Sequence, residues 1–170
     1  YFEIGNEVAD AISLTLEQVV SAVIIIAVFA EAVRLRIGWT IVGQRSYEAK
    51  QVSALAWGAL GVGMVLLLAP DPAYAYPLIL SLSLGDPLLG ELRRNEVSTN
   101  TVILAGAVGI ALIWASCAYF VDTPWFFVAL MGPICVASEW PRLRYIDDNA
   151  TMLLIPLAVI LVVDPFLGIM

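Results

Sequence analysis

The sequence predicts an all-α fold: a polytopic transmembrane helical bundle of about six helices, one domain over residues 1–170, with both termini outside. Three observations predict it. Hydrophobic residues make up 61% of the chain at a mean hydropathy of +0.92, against roughly half in soluble domains. They fall in segments of about 18 to 22 residues, and a helix needs about 20 to cross the hydrocarbon core. The eight basic side chains sit in three short clusters between these segments: Arg34, Arg36, Arg45 and Lys50; Arg93 and Arg94; Arg142 and Arg144. With six crossings the clusters are connections one, three and five, which share a face, and the positive-inside rule makes that face cytoplasmic. Helices rather than a barrel are expected because no ten-residue alternation is present and backbone amides in lipid must be satisfied within the segment.

The first helix is expected over 12–33, with its densest apolar stretch at 19–30, after an acidic segment holding Glu3, Glu7 and Asp10; Glu17 lies near its outer end. The second, 52–69, stops at Pro70, Asp71 and Pro72, since proline cannot continue a helix, and carries Ala54, Gly58, Ala59 and Gly63 as a small-residue stripe for close packing. The third, 74–89, is interrupted by Pro77, Gly85, Asp86, Pro87 and Gly90 and is expected to break near its inner end. The fourth, 101–121, is regular, with Ala105 and Gly109 as a second small pair. The fifth, 125–140, has Pro124 in its first turn and bends near Gly132 and Pro133. The sixth, 150–163, ends before Asp164 and Pro165. Trp39, Tyr74, Tyr76, Tyr119, Trp125, Trp140 and Tyr145 mark the expected boundaries, where amphipathic rings favour the headgroup layer.

Composition excludes several chemistries. There is no histidine, so His-based catalysis and His-ligated metal centres are out; Cys117 and Cys135 lie in apolar runs without a partner at ligand spacing. Walker, zinc-protease, dinucleotide-turn and EF-hand patterns do not occur, and nucleic acid is not an expected partner. The net charge of −7 is spread over both faces and says little. A first residue of Tyr1 rather than Met reads as a chain lacking its true amino terminus, with no signal-peptide pattern in view.

Two constellations carry chemistry. In the stretch Ser83 to Arg94, Asp86 sits where an unpaired carboxylate costs several kcal/mol, so a cation, a proton or water must meet it, and Gly85 and Gly90 let a phosphate or metal approach the backbone. The structural alternative is that Gly85 and Pro87 break the helix and Asp86 caps the segment after the break. In the second, Asp147, Asp148 and Asn149 precede the last helix. They are hard oxygen ligands and also good helix caps, and two adjacent acids favour a shared cation, Mg²⁺, when joined with Asp86. Glu139, Arg142 and Arg144 precede that trio, and Arg45, Glu48 and Lys50 lie on the first connection. These groups suit either a polyphosphate or anionic lipid headgroups.

On these residues the chain resembles the polytopic membrane kinases that include dolichol kinase, phytol kinase and the CTP-dependent diacylglycerol kinases. The resemblance runs from Glu31 to Pro156. It covers Glu31 with Arg34, the segment 47–60, the block 82–90 with its Gly-Asp-Pro core and the block 139–156 with its Ile-Asp-Asp-Asn core. It implies transfer of a phosphoryl group from CTP or another nucleotide to an isoprenoid or related lipid alcohol at the cytoplasmic face. Asp86, Asp147 and Asp148 would be catalytic and hold Mg²⁺, one of the acids taking the alcohol proton. Lys50, Gly85, Gly90, Arg93, Arg94, Arg142 and Asn149 would bind the nucleotide, and the lipid tail would lie between helices. The chain departs from the family after Gly90. There the kinases carry a longer connection with a second glycine motif and a Lys-Ser or Lys-Thr pair, whereas here 94–100 lead directly into the fourth helix and Lys50 is the single lysine. This departure raises an alternative, a noncatalytic kinase-like accessory subunit of a larger membrane complex. A solute carrier built on the third helix is disfavoured, because the acids gather at one face rather than near the midplane.

Overall fold

A computed structural model describes residues 14–40, 49–140, 143 and 145–167, and among them every regular element is helical. The elements in order are α1 (Leu16–Ile37), α2 (Ala54–Leu68), α3 (Pro72–Leu80), a wide π-helical turn (Ser81–Gly85), α4 (Asp86–Arg94), α5 (Thr99–Phe120), α6 (Phe126–Glu139) and α7 (Asp148–Leu167). Because α3, the wide turn and α4 run on without a gap, the described residues form six rods. Three of them, α1, α5 and α7, are long and apolar enough to cross a membrane, and α2 and α6 are shorter apolar helices.

Local chemistry sets the ends. Thr15 and Gln18 form a reciprocal capping box on α1, and Gly38, at φ 72°, supplies the left-handed residue that closes it. Ser53 caps α2 by accepting from the Ala56 amide at 3.2 Å, and Asp71 caps α3 by accepting from Ala73 at 2.7 Å, with Pro72 in the first turn. Ser98 does the same for α5.

The third rod departs from its expected break. Pro87 has no N–H to give the preceding turn, and that turn widens into π geometry instead of parting, so the helix continues to Arg94. The wide turn is held from outside, where Trp114 Nε1 donates to the buried Ser81 hydroxyl at 3.0 Å. Pro77 likewise leaves the Ala73 carbonyl without its helical donor, and the buried Thr123 hydroxyl donates to that oxygen at 2.7 Å. The last helix also passes its expected stop, running through Asp164 and Pro165 to Leu167.

The third rod packs against α2, α5 and α7, and α6 closes on α5 and α7. The shared core includes Leu78, Leu89, Ile110, Trp114, Phe127, Met131, Met152 and Leu153. Small residues set the close approaches, on more than one face. A Cβ at Gly63 would meet Ile24 of α1, whereas one at Gly61 would meet Leu153 of α7 and one at Gly58 would touch Asn149. On α5, Gly106 faces Leu89 and Gly109 faces Leu88; on α6, a Cβ at Gly132 would stand 2.5 Å from the Ala107 carbonyl oxygen. Helix α1 packs on α2 and turns most of its apolar surface outward, Phe29 and Ile37 each being 70% exposed. Such surface needs a hydrocarbon or protein neighbour. Among the boundary aromatics, Trp39, Tyr119, Trp125, Trp140 and Tyr145 are exposed. Tyr76 is half-buried, and Tyr74 is buried, meets Phe127 edge-on and donates to Asp164, tying α3 to α7 at the far end.

Candidate functional site

At the opposite end of the bundle the carboxyl ends of α1, α4 and α6 meet the amino ends of α2 and α7. The first connection is locked there by Arg34, which is 5% exposed. Its guanidinium donates to both oxygens of Glu31 and to the carbonyls of Trp39 and Gln51, each at 2.8 Å, while Glu31 also accepts from the Ser53 amide at 2.6 Å. A planar fork fits four acceptors that an ammonium group would not. This pair therefore closes the α1–α2 connection.

At the start of α7 the acid–acid–amide trio divides its work. The Asp147 carboxylate accepts from the Asn149 amide at 3.2 Å and its carbonyl from Ala150, so Asp147 caps the helix. Asn149 reaches across to the Ala54 carbonyl at 3.4 Å, joining α7 to α2. Asp148 occupies the first turn and is exposed.

On the third rod, Gly85 is buried with Ile110 and Met152 beside it, so its missing side chain serves close helix packing. Gly90 is exposed, with open space where a Cβ would go. Arg94 is exposed and pairs with Glu91 at 3.0 Å. Arg93 donates to Glu139 Oε1 at 2.5 Å and lies over the Trp140 ring, 5.1 Å from its centroid.

Glu139, which the sequence marks only as a polar neighbour of the trio and to which no catalytic or metal role is assigned there, is the most deeply buried acid at this end among the described residues. Its side chain is 1% exposed, Arg93 satisfies one oxygen, and Oε2 is buried with no hydrogen-bond partner. The carboxylates of Asp86 and Asp148 lie near enough to act on its charge. A carboxylate in that position costs several kcal/mol unless something compensates it. The three acids come from α4, α6 and α7. The available signal was an acid beside a tryptophan at the end of an apolar helix.

Among the described residues no three acidic or cysteine side chains stand close enough to form a ready metal cage. Lys50 is exposed on the first connection. Arg142, Arg144, Arg45 and Glu48, and the acids Glu3, Glu7 and Asp10, lie outside the described residues. Between α4 and α5 the chain spends only residues 95–98, which leaves no length for the longer phosphate-binding connection of the resembling kinases.

Beside this end, a groove of about 500 Å³ runs between α5 and α6. Ile103, Leu104, Ala107, Pro133 and Ala137 wall it, and Asn100 and Trp140 stand at its polar end. Comparison of the chain with protein-family models, characterised proteins and solved structures finds no match.

Proposed function

We propose that this chain is a multi-pass membrane protein, its basic connections on the cytoplasmic face and both termini outside, that transfers the terminal phosphoryl group of CTP or another nucleotide to an isoprenoid or related lipid alcohol. One observation carries the reading. Glu139 is buried beside Arg93 with one oxygen unpartnered, and the charges of Asp86 and Asp148 act on it.

The reading implies Mg²⁺, and the chemistry of the donors is suited to it. Carboxylates are hard oxygen ligands, the orphaned oxygen of Glu139 is the kind of atom a cation satisfies, and Mg²⁺ sites commonly use one or two carboxylates plus substrate phosphates rather than an all-protein cage. Asp86 and Asp148 would hold it, with Asp147 and Asn149 fixing the start of α7. Bound there, the ion would neutralise charge on the transferring phosphoryl group. Asp148, whose carboxylate is not the one capping α7, takes the alcohol proton as the alcohol oxygen bonds to phosphorus and the bond to the leaving nucleoside diphosphate breaks. Arg94, Lys50 and Arg142 offset nucleotide charge, and Arg93 does so from its place beside Glu139.

The test is purified chain with radiolabelled CTP, Mg²⁺ and a prenol. Phosphorylated prenol is expected, with loss of transfer in Asp86→Asn and Asp148→Asn at unchanged thermal unfolding. No transfer by the wild-type chain, or transfer surviving both substitutions, overturns the proposal.

The short turn at 95–98 and the packed Gly85 favour a second reading, a noncatalytic accessory subunit of a larger membrane complex. Native purification in mild detergent separates the two: a stoichiometric partner together with an inactive isolated chain supports the second.

A further inference from the structure

We propose that Glu139 and Trp140 are positioning residues that hold the Arg93 guanidinium as a fixed receptor for a phosphate group. Phosphoryl transfer asks of Arg93 only its charge, whereas its surroundings give it a direction. The receptor goes beyond that reading, since the phosphate of a lipid headgroup fits it as well as that of a soluble ligand.

Two pairs of arginine and glutamate stand at this end, and they are built in opposite senses. In the first the arginine is the buried partner: the fork of Arg34 is committed to both oxygens of Glu31 and to the Trp39 and Gln51 carbonyls. In the second the acid is the buried partner, at 1% exposure, while the Arg93 side chain remains 42% exposed. Among the described residues the guanidinium of Arg93 gives one hydrogen bond, from Nη1 to Glu139 Oε1, so its other N–H groups stay available on the exposed side. Stability alone does not account for such a pair. It leaves Glu139 Oε2 buried and unpartnered, and apolar residues of similar volume often serve as well as a buried ion pair or better. What the buried acid does supply is a rigid hold on Arg93.

Two contacts fix a planar group. Glu139 holds one corner of the guanidinium, and the exposed Trp140 ring holds one face, its centroid 5.1 Å from the guanidinium carbon. A fork fixed in this way presents its remaining N–H groups in one direction, where parallel donors match two oxygens of a phosphate. The ordering of a long side chain, about 2 kcal/mol for arginine, is then met by the fold rather than on binding. Arg94, the next residue, lacks this support: its side chain is 78% exposed and pairs with an exposed Glu91. Trp140 thus does more than mark the headgroup layer.

Glu139→Leu separates a held arginine from a mere charge, because it removes a negative charge beside Arg93 together with the hold on it. Attraction by charge alone predicts tighter phosphate binding in that variant, and a fixed receptor predicts weaker binding. The test is equilibrium binding to the full chain in phosphatidylcholine nanodiscs, with radiolabelled inorganic pyrophosphate as the soluble probe and spin-labelled phosphatidic acid as the headgroup probe. Affinity for one of them is expected to fall at least about tenfold in Arg93→Lys, Glu139→Leu and Trp140→Leu, and to be kept in Trp140→Phe and in Arg36→Ala, which removes a positive charge from the same face. The probe that responds identifies the source of the phosphate. Binding unchanged or tighter in Glu139→Leu, an equal loss in Arg36→Ala, or no binding of either probe overturns the proposal. If Glu139→Leu does not fold, equal affinity in Trp140→Leu and Trp140→Phe overturns it instead. Glu139-dependent binding without transfer from CTP would end the kinase reading alone; transfer with phosphate binding indifferent to Glu139 and Trp140 would end the receptor alone.

Discussion

Arg93 donates to one oxygen of the Glu139 carboxylate at 2.5 Å and leaves the other buried without a donor. Removing the arginine strands a buried charge. Arg93→Ala is expected to lower stability by about 2 kcal/mol, and Glu139→Gln in that background to restore part of it, because a neutral amide is cheaper to bury. Thermal unfolding in detergent measures both; a double variant no more stable than Arg93→Ala would assign the loss to packing on Trp140 instead.

Arg34 ties together Glu31, Trp39 and Gln51, and no other residue type can reproduce its fork. Arg34→Ala and Arg34→Lys are both expected to destabilise, the first by about 3–5 kcal/mol. Limited proteolysis of the first connection and thermal unfolding check this. Full stability in Arg34→Lys would show that charge alone suffices.

Two glycines separate packing from ligand binding. Gly132→Ala drives a methyl group into the Ala107 carbonyl and is expected to cost about 1–3 kcal/mol, whereas Gly90→Ala meets open space and should stabilise α4 by up to about 1 kcal/mol. If Gly90 cradles nucleotide, its alanine variant loses transfer while unfolding at or above the wild-type temperature.

At the amino end of α7 the two adjacent acids should behave differently. Asp147→Ala removes a helix cap and is expected to cost about 1 kcal/mol of stability. Asp148→Asn leaves the cap in place and is expected to lower phosphoryl transfer at least about 100-fold with little change in unfolding. Equal effects of both on stability would deny the division of labour.

Sidedness is open to direct measurement. In a background with Cys117 and Cys135 replaced by alanine, single cysteines at Arg94 and Asp122 are expected to react with an impermeant maleimide from opposite sides of a sealed vesicle. Labelling from one side would break the alternating topology.

The sequence made the helical class readable because apolar runs separated by proline, glycine and charge leave little else to form. It did not make the continuity of the third rod readable. Pro77 and Pro87 look like breaks, and only tertiary partners reveal otherwise: Thr123, 50 positions after Ala73, supplies the donor that Pro77 lacks, and Trp114 braces the wide turn through Ser81. Asp86 and the Asp147 to Asn149 trio stood out because carboxylates inside or beside apolar runs are costly. Glu139 stood beside them, but its burial was not legible, because it depends on how α6 packs in the bundle. The packing of Gly85 against Ile110 was hidden for a related reason, since glycines that admit a ligand and glycines that admit a neighbouring helix read alike.

The wide turn at Ser81–Gly85 resets the angular phase of its rod. Wound uniformly, the same residues would present Arg93 about 100° away from Glu139, one residue's worth of rotation. The rod thus keeps two separate alignments, one fixed where Tyr74 meets Asp164 and one where Arg93 meets Glu139. Loss of a single residue within the turn would tighten it to ordinary winding and preserve both alignments, whereas the same loss a few positions later would swing the arginine out of register.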